Sequence, residues 1–292
     1  MSYADMGGKV CIVTGANSGI GKVTALELAK ANAIVVMACR NEERGNQALE
    51  EIVNLSGNRN VELYTVDLSS MQQIRDFVND FSKKHDKLNV LINNAGLVLG
   101  KRVETVDSLE YVFAVNYFAP FLLTNLLLDK LRTGTPSRVV NVSADLHKIA
   151  RLDLDDLQSQ KKYSAIGAYG KSKIALNMFT FLLAKKVEKD GITVNALHPG
   201  VILSNFGKVR NSDSRQSLVM RVSLKIFSRF MLSPEQGADT MLYLATSSEV
   251  AGITGKYYKK HKIAKTKKEC QDEEKQRALW ELSEKRVGLK QQ

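Results

Sequence analysis

Short apolar runs alternate with longer amphipathic segments along the first 200 residues, and this alternation constrains the fold more than any other feature of the chain. The runs are rich in valine and isoleucine, span about four to eight residues and end at turn residues, as buried strands do. They lie at residues 9–15, 33–40, 61–68, 88–96, 137–144 and 191–200. Helical periodicity fills the segments between them, near residues 19–31, 42–54, 70–85, 107–131 and 165–189. Nearly continuous apolar strands alternating with helices predict a parallel sheet covered on both faces, which is a doubly wound, three-layer α/β/α domain.

The pattern changes beyond the sixth apolar run, without a linker rich in proline or glycine. Residues 204–232 combine a polar loop with a segment of apolar and basic residues. The letters SPEQ at residues 233–236 predict a helix start, with serine as N-cap, proline at the first helical position and glutamine at the capping-box position. Residues 253–258 are predicted to form a last edge strand. We therefore expect a single domain over residues 1–258.

The composition excludes several classes of protein. Apolar residues make up 44% and charged residues 25%, so a wholly disordered chain is excluded. No apolar run approaches the length of about 18 residues that a transmembrane helix needs, and no secretory signal is visible at the amino terminus. Cys11, Cys39 and Cys270 lack metal-ligand spacing, so no metal site is expected, and they favour a reducing, cytoplasmic location.

The formal net charge of +11 is unevenly distributed. Residues 256–292 hold twelve lysines and arginines against six acidic residues, a surplus of six positive charges. The other 255 residues share the remaining surplus of five. Residues 259–292 therefore form a basic C-terminal extension. It is either a solvated terminus or a surface for peripheral contact with an anionic membrane, because basic clusters attract acidic lipids. No recognition motif accompanies it, so nucleic acid is not expected as a partner.

Three glycines, Gly15, Gly19 and Gly21, stand at the junction between the first strand and the first helix. Glycine at such a turn lets the backbone approach a pyrophosphate, whose charge faces the amino terminus of the helix. The spacing GxxxGxG differs from the better-known GxGxxG, but it follows the first strand of a βαβ pattern. The sequence therefore predicts a nucleotide-binding site here.

Tyr169 lies in a segment of helical periodicity and is followed by Lys171 two positions later and Lys173 four positions later. A phenol has a pKa near ~10, and lowering it to ~7 requires about 4 kcal/mol, which an ammonium at ~4 Å in an effective dielectric of ~20 supplies. On a helix the residue at i+4 shares the face, whereas the residue at i+2 points away. Tyr169 and Lys173 are thus predicted to form a pair that exchanges a proton with a substrate oxygen. A second Tyr-x-x-x-Lys, Tyr258 and Lys262, lies in the lysine-rich region after the last strand and is assigned no chemistry.

Two upstream residues complete the predicted site. Ser143 closes a strand at its carboxyl end, where open α/β sheets bind their ligands, and its hydroxyl can stabilise developing negative charge on a substrate oxygen. Asn116 lies in a predicted helix before that strand. The order Asn116, Ser143, Tyr169, Lys173 after a nucleotide-binding turn predicts a catalytic tetrad. His198 is expected to serve packing or hydrogen bonding.

These motifs resemble the short-chain dehydrogenase/reductase family, whose members have a Rossmann-type fold and the glycine motif TGxxxGIG. The matching residues are Thr14, Gly15, Ala16, Asn17, Ser18, Gly19, Ile20 and Gly21. The resemblance implies that Asp67 and Leu68 contact the adenine, and that Asn116 holds a water that relays protons through Lys173. It further implies cofactor contacts from Tyr169 and Lys173 and from Asn94, Ala95, Gly96, Pro199, Gly200, Val201 and Ser204, the last standing where the family usually has threonine.

The residue after the second strand bears on the choice of cofactor. An acidic residue there would accept hydrogen bonds from the ribose of NAD and repel a 2′-phosphate. This chain has Arg40 instead, and a guanidinium pairs with a phosphate through charge-assisted hydrogen bonds. The sequence therefore predicts NADP (NADPH) as the cofactor.

The segment from Ser143 to Tyr169 is similar to the retinol dehydrogenase branch of the family, as are LHPGVILSN and ALWELSEKRVGL farther along. This resemblance implies an NADP-dependent oxidoreductase, an alcohol dehydrogenase or carbonyl reductase of class EC 1.1.1.-. It would interconvert a hydrophobic aldehyde or ketone and its alcohol, as with retinal and retinol, beneath a substrate lid at residues 204–232. The alternative is a non-catalytic NADP-binding sensor or membrane-surface protein on the same fold. The family also favours a homo-oligomer.

Overall fold

The computed structural model describes residues 3–200 and 232–289, and these form one α/β domain around an eight-stranded sheet. The spatial order of the strands is β3-β2-β1-β4-β5-β6-β7-β8, and all neighbours are parallel except β7 and β8. The strands are β1 Val10–Thr14, β2 Ile34–Cys39, β3 Val61–Thr65, β4 Val90–Asn93, β5 Ser137–Val142, β6 Ile192–His198, β7 Tyr257–Lys259 and β8 Lys262–Ile263. Because β1 lies between β2 and β4, the winding reverses there, and a crevice opens at the carboxyl ends of β1 and β4.

Helices cover both faces of the sheet. They are α1 Gly19–Lys30, α2 Glu42–Ser56, α3 Met71–Lys84, α4 from Tyr111 to Leu126, α5 Leu128–Thr133, α6 Ala165–Lys186, α7 Pro234–Thr246 and α8 Glu273–Val287. The predicted capping box of α7 is present, since the Ser233 side chain accepts from Gln236 N while the Gln236 side chain accepts from Ser233 N.

Alternate residues of each central strand enter two different apolar cores. In β1, Cys11 and Val13 pack in the core beneath α1, α2 and α7, whereas Val10 and Ile12 pack in the core beneath α3, α4 and α6. Successive side chains of a strand point to opposite faces, so a strand buried on both sides is apolar at most positions. The predicted doubly wound α/β/α architecture is confirmed.

Helix α4 differs from the predicted helix over residues 107–131. It starts at Tyr111 because both carboxylate oxygens of Glu110 accept hydrogen bonds from the first free backbone amides, those of Val112 (2.9 Å) and Phe113 (2.8 Å). Its middle, Ala114–Phe118, is a π-helical turn, followed by the α-helical part Ala119–Leu126. Such turns insert one residue into a helix and are frequent at functional sites.

The C-terminal part of the fold departs further from the sequence-based expectation. Strand β7 is not the edge of the sheet, because β8 pairs beyond it in antiparallel orientation. Residues 259–289 pack on the domain rather than project into solvent, with Cys270, Leu279 and Trp280 buried. The predicted lid at residues 204–232 lies, apart from Leu232, outside the described residues. No helix within residues 3–200 and 232–289 is long and apolar enough to cross a membrane.

Candidate active site

The glycine turn after β1 forms a cradle at the crevice. Gly15 and Gly19 have φ values of +68° and +56°, which residues with a side chain rarely adopt. A Cβ atom on Gly21 would lie 2.4 Å from the Gly15 carbonyl oxygen, so no larger residue fits there. The first turn of α1 therefore packs directly on the backbone of the turn that follows β1.

The amino terminus of α1 suits an anion. Ser18 occupies the N-cap position, but its side chain caps none of the described amides, and no acidic residue stands in the first turn. The turn is tied to the end of β4, since the Asn94 amide donates to Thr14 O (2.8 Å) and the Thr14 hydroxyl accepts from Ala95 N (3.0 Å). Free backbone amides and the helix dipole together favour a phosphate at this position. Asn17 and Ile20 belong to the same stretch, residues 15–21, and their contacts with a cofactor stay predictions.

Arg40 is exposed at the carboxyl end of β2, and its Nη1 donates to the hydroxyl of Tyr111 at the start of α4 (2.7 Å). This bond connects the end of β2 with the helix that follows β4. The half-buried Asp67 lies beyond the next strand, where its carboxylate accepts from the amide (2.9 Å) and hydroxyl (2.8 Å) of Ser69. Leu68 is buried beside it. Arg40 and Asp67 thus follow neighbouring strands at the carboxyl edge of the sheet, and their contacts with the adenosine half of a dinucleotide stay predictions.

Asn116 projects from the π-helical turn of α4 and is fully buried. Its Oδ1 accepts from Leu97 N (2.9 Å), and its Nδ2 donates to Leu97 O (3.0 Å) and to Ser172 Oγ (3.1 Å). The side chain therefore connects the loop after β4 with the middle of α6. A Cβ on Gly96 would lie 3.3 Å from Asn116 Oδ1 and 3.6 Å from Lys173 Nζ, which brings the end of β4 against both groups.

Tyr169 and Lys173 lie one helical turn apart on α6. Lys173 Nζ is 5.5 Å from the centroid of the Tyr169 ring. It also donates to the carbonyl oxygen of Val142 (2.7 Å), the residue that directly precedes Ser143. Lys171 instead donates to Asp156 O (2.7 Å) on the other side of the helix. The i+4 spacing thus brings Lys173, and not Lys171, to the tyrosine.

The pKa values in this pair differ from the expectation based on spacing. Burial raises the pKa of Tyr169 above its ordinary value instead of lowering it toward neutrality. Burial also lowers the pKa of Lys173 to about 7. Desolvation is the cause of both shifts, because both groups are almost completely removed from water. Tyr169 therefore keeps its proton at neutral pH in this protein.

Ser143 lies at the carboxyl end of β5 and is 1% exposed. Its Oγ is buried and has no hydrogen-bond partner among the described residues. A buried hydroxyl without a partner is costly, so this atom is suited to bind a ligand oxygen. The next residue, Ala144, packs in the same apolar cluster as Tyr169. Together with the glycine cradle, which a single Cβ would fill, this hydroxyl fits a dinucleotide and a carbonyl substrate meeting in the crevice.

The family model described as short chain dehydrogenase matches residues 9–215 of this sequence. The chain belongs to the short-chain dehydrogenase family. It is therefore an oxidoreductase, and the resemblance seen in the sequence is confirmed.

The chain is also similar to curated members of this family along nearly its whole length. It is 41% identical to retinol dehydrogenase 13 of Homo sapiens, over 99% of this chain and 87% of that protein. It is 37% identical to human retinol dehydrogenase 14, over 97% of this chain and 88% of that protein.

Solved structures share the fold. An uncharacterised protein from Mycobacterium paratuberculosis has 29% identity and a TM-score of 0.78, covering 98% of this chain and 96% of that one. The RhlG/NADP active-site complex of Pseudomonas aeruginosa has 27% identity and a TM-score of 0.67, covering 88% of this chain and 96% of that one.

One polar cluster, around Asp145 two residues after Ser143, was not predicted from the sequence. Asp145 accepts from Lys259 (2.7 Å) and from the Tyr257 hydroxyl (3.2 Å), and its Oδ1 is 3.1 Å from Lys148 Nζ. His198 Nε2 lies 3.9 Å from the same carboxylate, and burial lowers the pKa of His198 to about 4, so it is neutral. The only sequence signal was the excess of lysine after β7, which does not say where these side chains go.

The remaining predicted residues have different outcomes. Pro199 and Gly200 follow β6 at the carboxyl edge of the sheet and are partly buried, whereas Val201 and Ser204 lie outside the described residues. Tyr258 and Lys262 stand on opposite strands of the β7–β8 hairpin, so their spacing does not bring them to one helix face. Among residues 3–200 and 232–289 no group of three or more metal-binding side chains comes together.

Proposed function

We propose that this protein is an NADP-dependent oxidoreductase that interconverts a hydrophobic aldehyde or ketone and its alcohol, with retinal-like carbonyls as the substrate class. The observation that carries the proposal is the meeting of Ser143, Tyr169, Lys173 and Asn116 at the carboxyl edge of the sheet, beside a glycine cradle. Nothing in the structure or the comparisons favours a non-catalytic sensor.

The proposed chemistry assigns a separate task to each side chain. The nicotinamide cofactor, when bound, supplies the hydride for the carbonyl carbon. The Ser143 hydroxyl donates a hydrogen bond to the carbonyl oxygen and stabilises the charge that develops there. Tyr169 donates its proton to that oxygen, and its raised pKa means that the proton is present at neutral pH. Asn116 and Lys173 hold this arrangement and connect it to solvent.

The preference for NADP rests on Arg40. It is exposed at the end of β2, where an acidic side chain would repel a 2′-phosphate, and the Tyr111 hydroxyl orients its guanidinium (2.7 Å). In Arg40→Ala we expect NADPH to bind at least tenfold more weakly while NADH binding is little changed. Equal binding of the two cofactors by the wild-type protein would contradict this assignment.

The substrate class rests on the apolar surroundings of the tetrad. Tyr169 packs in an apolar cluster with Val98, Leu99 and Tyr163, which are partly buried. Such a surface suits a bulky apolar carbonyl better than a sugar or a charged acid. The relatives named retinol dehydrogenases support a retinoid-like compound within this class.

The experiment measures loss of NADPH absorbance with all-trans retinal, a medium-chain aldehyde, a steroid ketone and a polar ketose. We expect turnover with the apolar carbonyls, no turnover with the ketose, and no turnover in Tyr169→Phe although that variant still binds NADPH. Tyr163→Phe is the matched control, because Tyr163 packs nearby but donates to Leu99 O instead (2.9 Å). Turnover by Tyr169→Phe at the wild-type rate would contradict the proposed chemistry.

Three expectations from the sequence stay predictions. They are cytoplasmic residence, peripheral contact with a membrane through the basic extension, and assembly into a homo-oligomer. Cell fractionation, sedimentation with anionic vesicles and light scattering test them in turn.

A further inference from the structure

The basic extension, residues 259–292, uses part of its charge in contacts inside the molecule. Lys267 donates to the carbonyl oxygen of Ala150, and Lys275 donates to that of Leu152 (2.5 Å). Glu269 lies between the two lysines, paired with Lys275 and with Lys267 (2.9 Å). Its Oε1 also accepts from Leu152 N (3.2 Å). Two lysines and one glutamate thus hold the backbone of a single short segment.

A fourth residue of the extension acts on the beginning of the same segment. Lys259 donates to the Asp145 carboxylate (2.7 Å), two residues after Ser143. We call residues 144–152 the wall segment, and Lys259, Lys267, Glu269 and Lys275 the clamp. All clamp contacts are charge-assisted, and such hydrogen bonds are roughly twice as strong as neutral ones.

The opposite side of the wall segment packs against α6 beside Tyr169. A Cβ atom on Gly170 would lie 2.5 Å from Ala150 Cβ and 3.0 Å from Leu146 O, so the wall and the helix are in direct contact there. Leu146 and Ile149 project outward, exposed at 37% and 73%. The wall segment therefore lies between the clamp and α6, with Ala144 at its start in the same apolar cluster as Tyr169.

We propose that the clamp residues are positioning residues that hold the wall segment against Tyr169 and thereby set the affinity for long apolar carbonyl substrates. This inference rests on the proposed function, because it assumes that the carbonyl reacts at Tyr169 and that a long substrate extends along the wall segment. A long substrate contacts the wall along its length, whereas a short one contacts only the reacting groups. Small displacements of a positioning element can change rates strongly, so weakening the clamp selectively impairs long substrates.

The test compares two double variants that each lose two positive charges from the extension. Lys267→Met with Lys275→Met removes both lysines that hold the wall backbone. Lys265→Met with Lys268→Met is the matched control, because both of those side chains are exposed. Kinetics are measured with NADPH and two aldehydes, one long and apolar and one of three carbons, and hydrogen exchange is measured across residues 144–152.

In the clamp variant we expect KM for the long aldehyde to rise about tenfold, with kcat for the short aldehyde and the Kd of NADPH unchanged. Amides of the wall segment should exchange faster, while those of α1 and β1 should not. Restoring the charge with Lys275→Arg in the Lys267→Met background should recover part of the affinity. The control variant should match the wild-type protein in every measurement.

Other results would overturn the inference. An unchanged KM for the long aldehyde, or an equal loss with both aldehydes, would mean that the clamp does not position the substrate. A lower melting temperature without faster exchange in the wall segment would assign the clamp to global stability alone. If the wild-type protein reduces neither aldehyde, the proposed function fails as well. That failure is seen in the wild-type protein alone, so it can be told apart from a failure of the clamp inference, which is seen only in the variants.

Discussion

Replacing Lys173 with methionine should stabilise the folded protein at neutral pH and remove its activity. The lysine is 3% exposed, and burial lowers its pKa from an ordinary value of 10.5 to about 7. The whole shift corresponds to about 5 kcal/mol at ~1.36 kcal/mol per unit, and the cost at pH 7 is about 4 kcal/mol because the buried lysine is then half deprotonated. The substitution also removes the hydrogen bond to Val142 O, and leaving that carbonyl without a donor costs about 1–3 kcal/mol. The expected net gain at pH 7 is therefore about 2 kcal/mol.

The gain should depend on pH in one direction. Since the folded pKa lies below the unfolded one, the unfolded chain binds more protons between pH 7 and pH 10.5, and wild-type stability rises with pH through that window. At pH 9 the cost of burying Lys173 falls to about 2 kcal/mol. The advantage of Lys173→Met should thus shrink by about 2 kcal/mol between pH 7 and pH 9. The lost hydrogen bond does not affect this difference, because it is absent from the variant at both pH values.

Urea unfolding of both proteins without cofactor, at pH 7 and pH 9, measures the effect. Lys161→Met is the control, because Lys161 is exposed and the same substitution should then give a difference independent of pH. The reasoning is refuted if Lys173→Met is less stable than wild type at pH 7. It is also refuted if the difference in unfolding free energy stays constant between the two pH values.

Three further changes test other parts of the site. Tyr111→Phe removes the acceptor that orients Arg40, and we expect a several-fold loss of preference for NADPH over NADH in paired binding titrations. Ser143→Ala should lower kcat about a hundredfold with little change in NADPH affinity, since one donor to the developing oxyanion is lost. Gly21→Ala should abolish NADPH binding, because its Cβ would lie 2.4 Å from a backbone carbonyl, whereas Gly7→Ala should bind normally.

The sheet could be predicted because its signal is local. The strands are short and mostly apolar, and the intervening helices have a different period, so β1 to β6 follow from short stretches of sequence. The pairing of Tyr169 with Lys173 is equally local, since four residues of helix bring the two side chains together.

Other features depend on distant or collective effects. The start of α4 is set by the Glu110 carboxylate, which caps the first free amides. The helical periodicity of residues 107–131 does not show whether Glu110 caps the helix or lies inside it. The raised pKa of Tyr169 comes from burial by the whole fold, which the spacing to Lys173 does not reveal. Similarly, a run of lysines after β7 predicts charge, but not that Lys275 reaches the backbone of Leu152.

The clamp also affects the order in which parts of the active site form during translation. Lys267 and Lys275 contact carbonyl groups 117 and 123 residues earlier in the chain, whereas Tyr169 and Lys173 are one helical turn apart. Contacts between distant residues form late, because a long loop must close first. A ribosome-bound chain that ends before residue 275 would already contain all four tetrad residues. Its wall segment would still lack the contact with Lys275. Cofactor affinity should therefore arise earlier in translation than affinity for a long aldehyde.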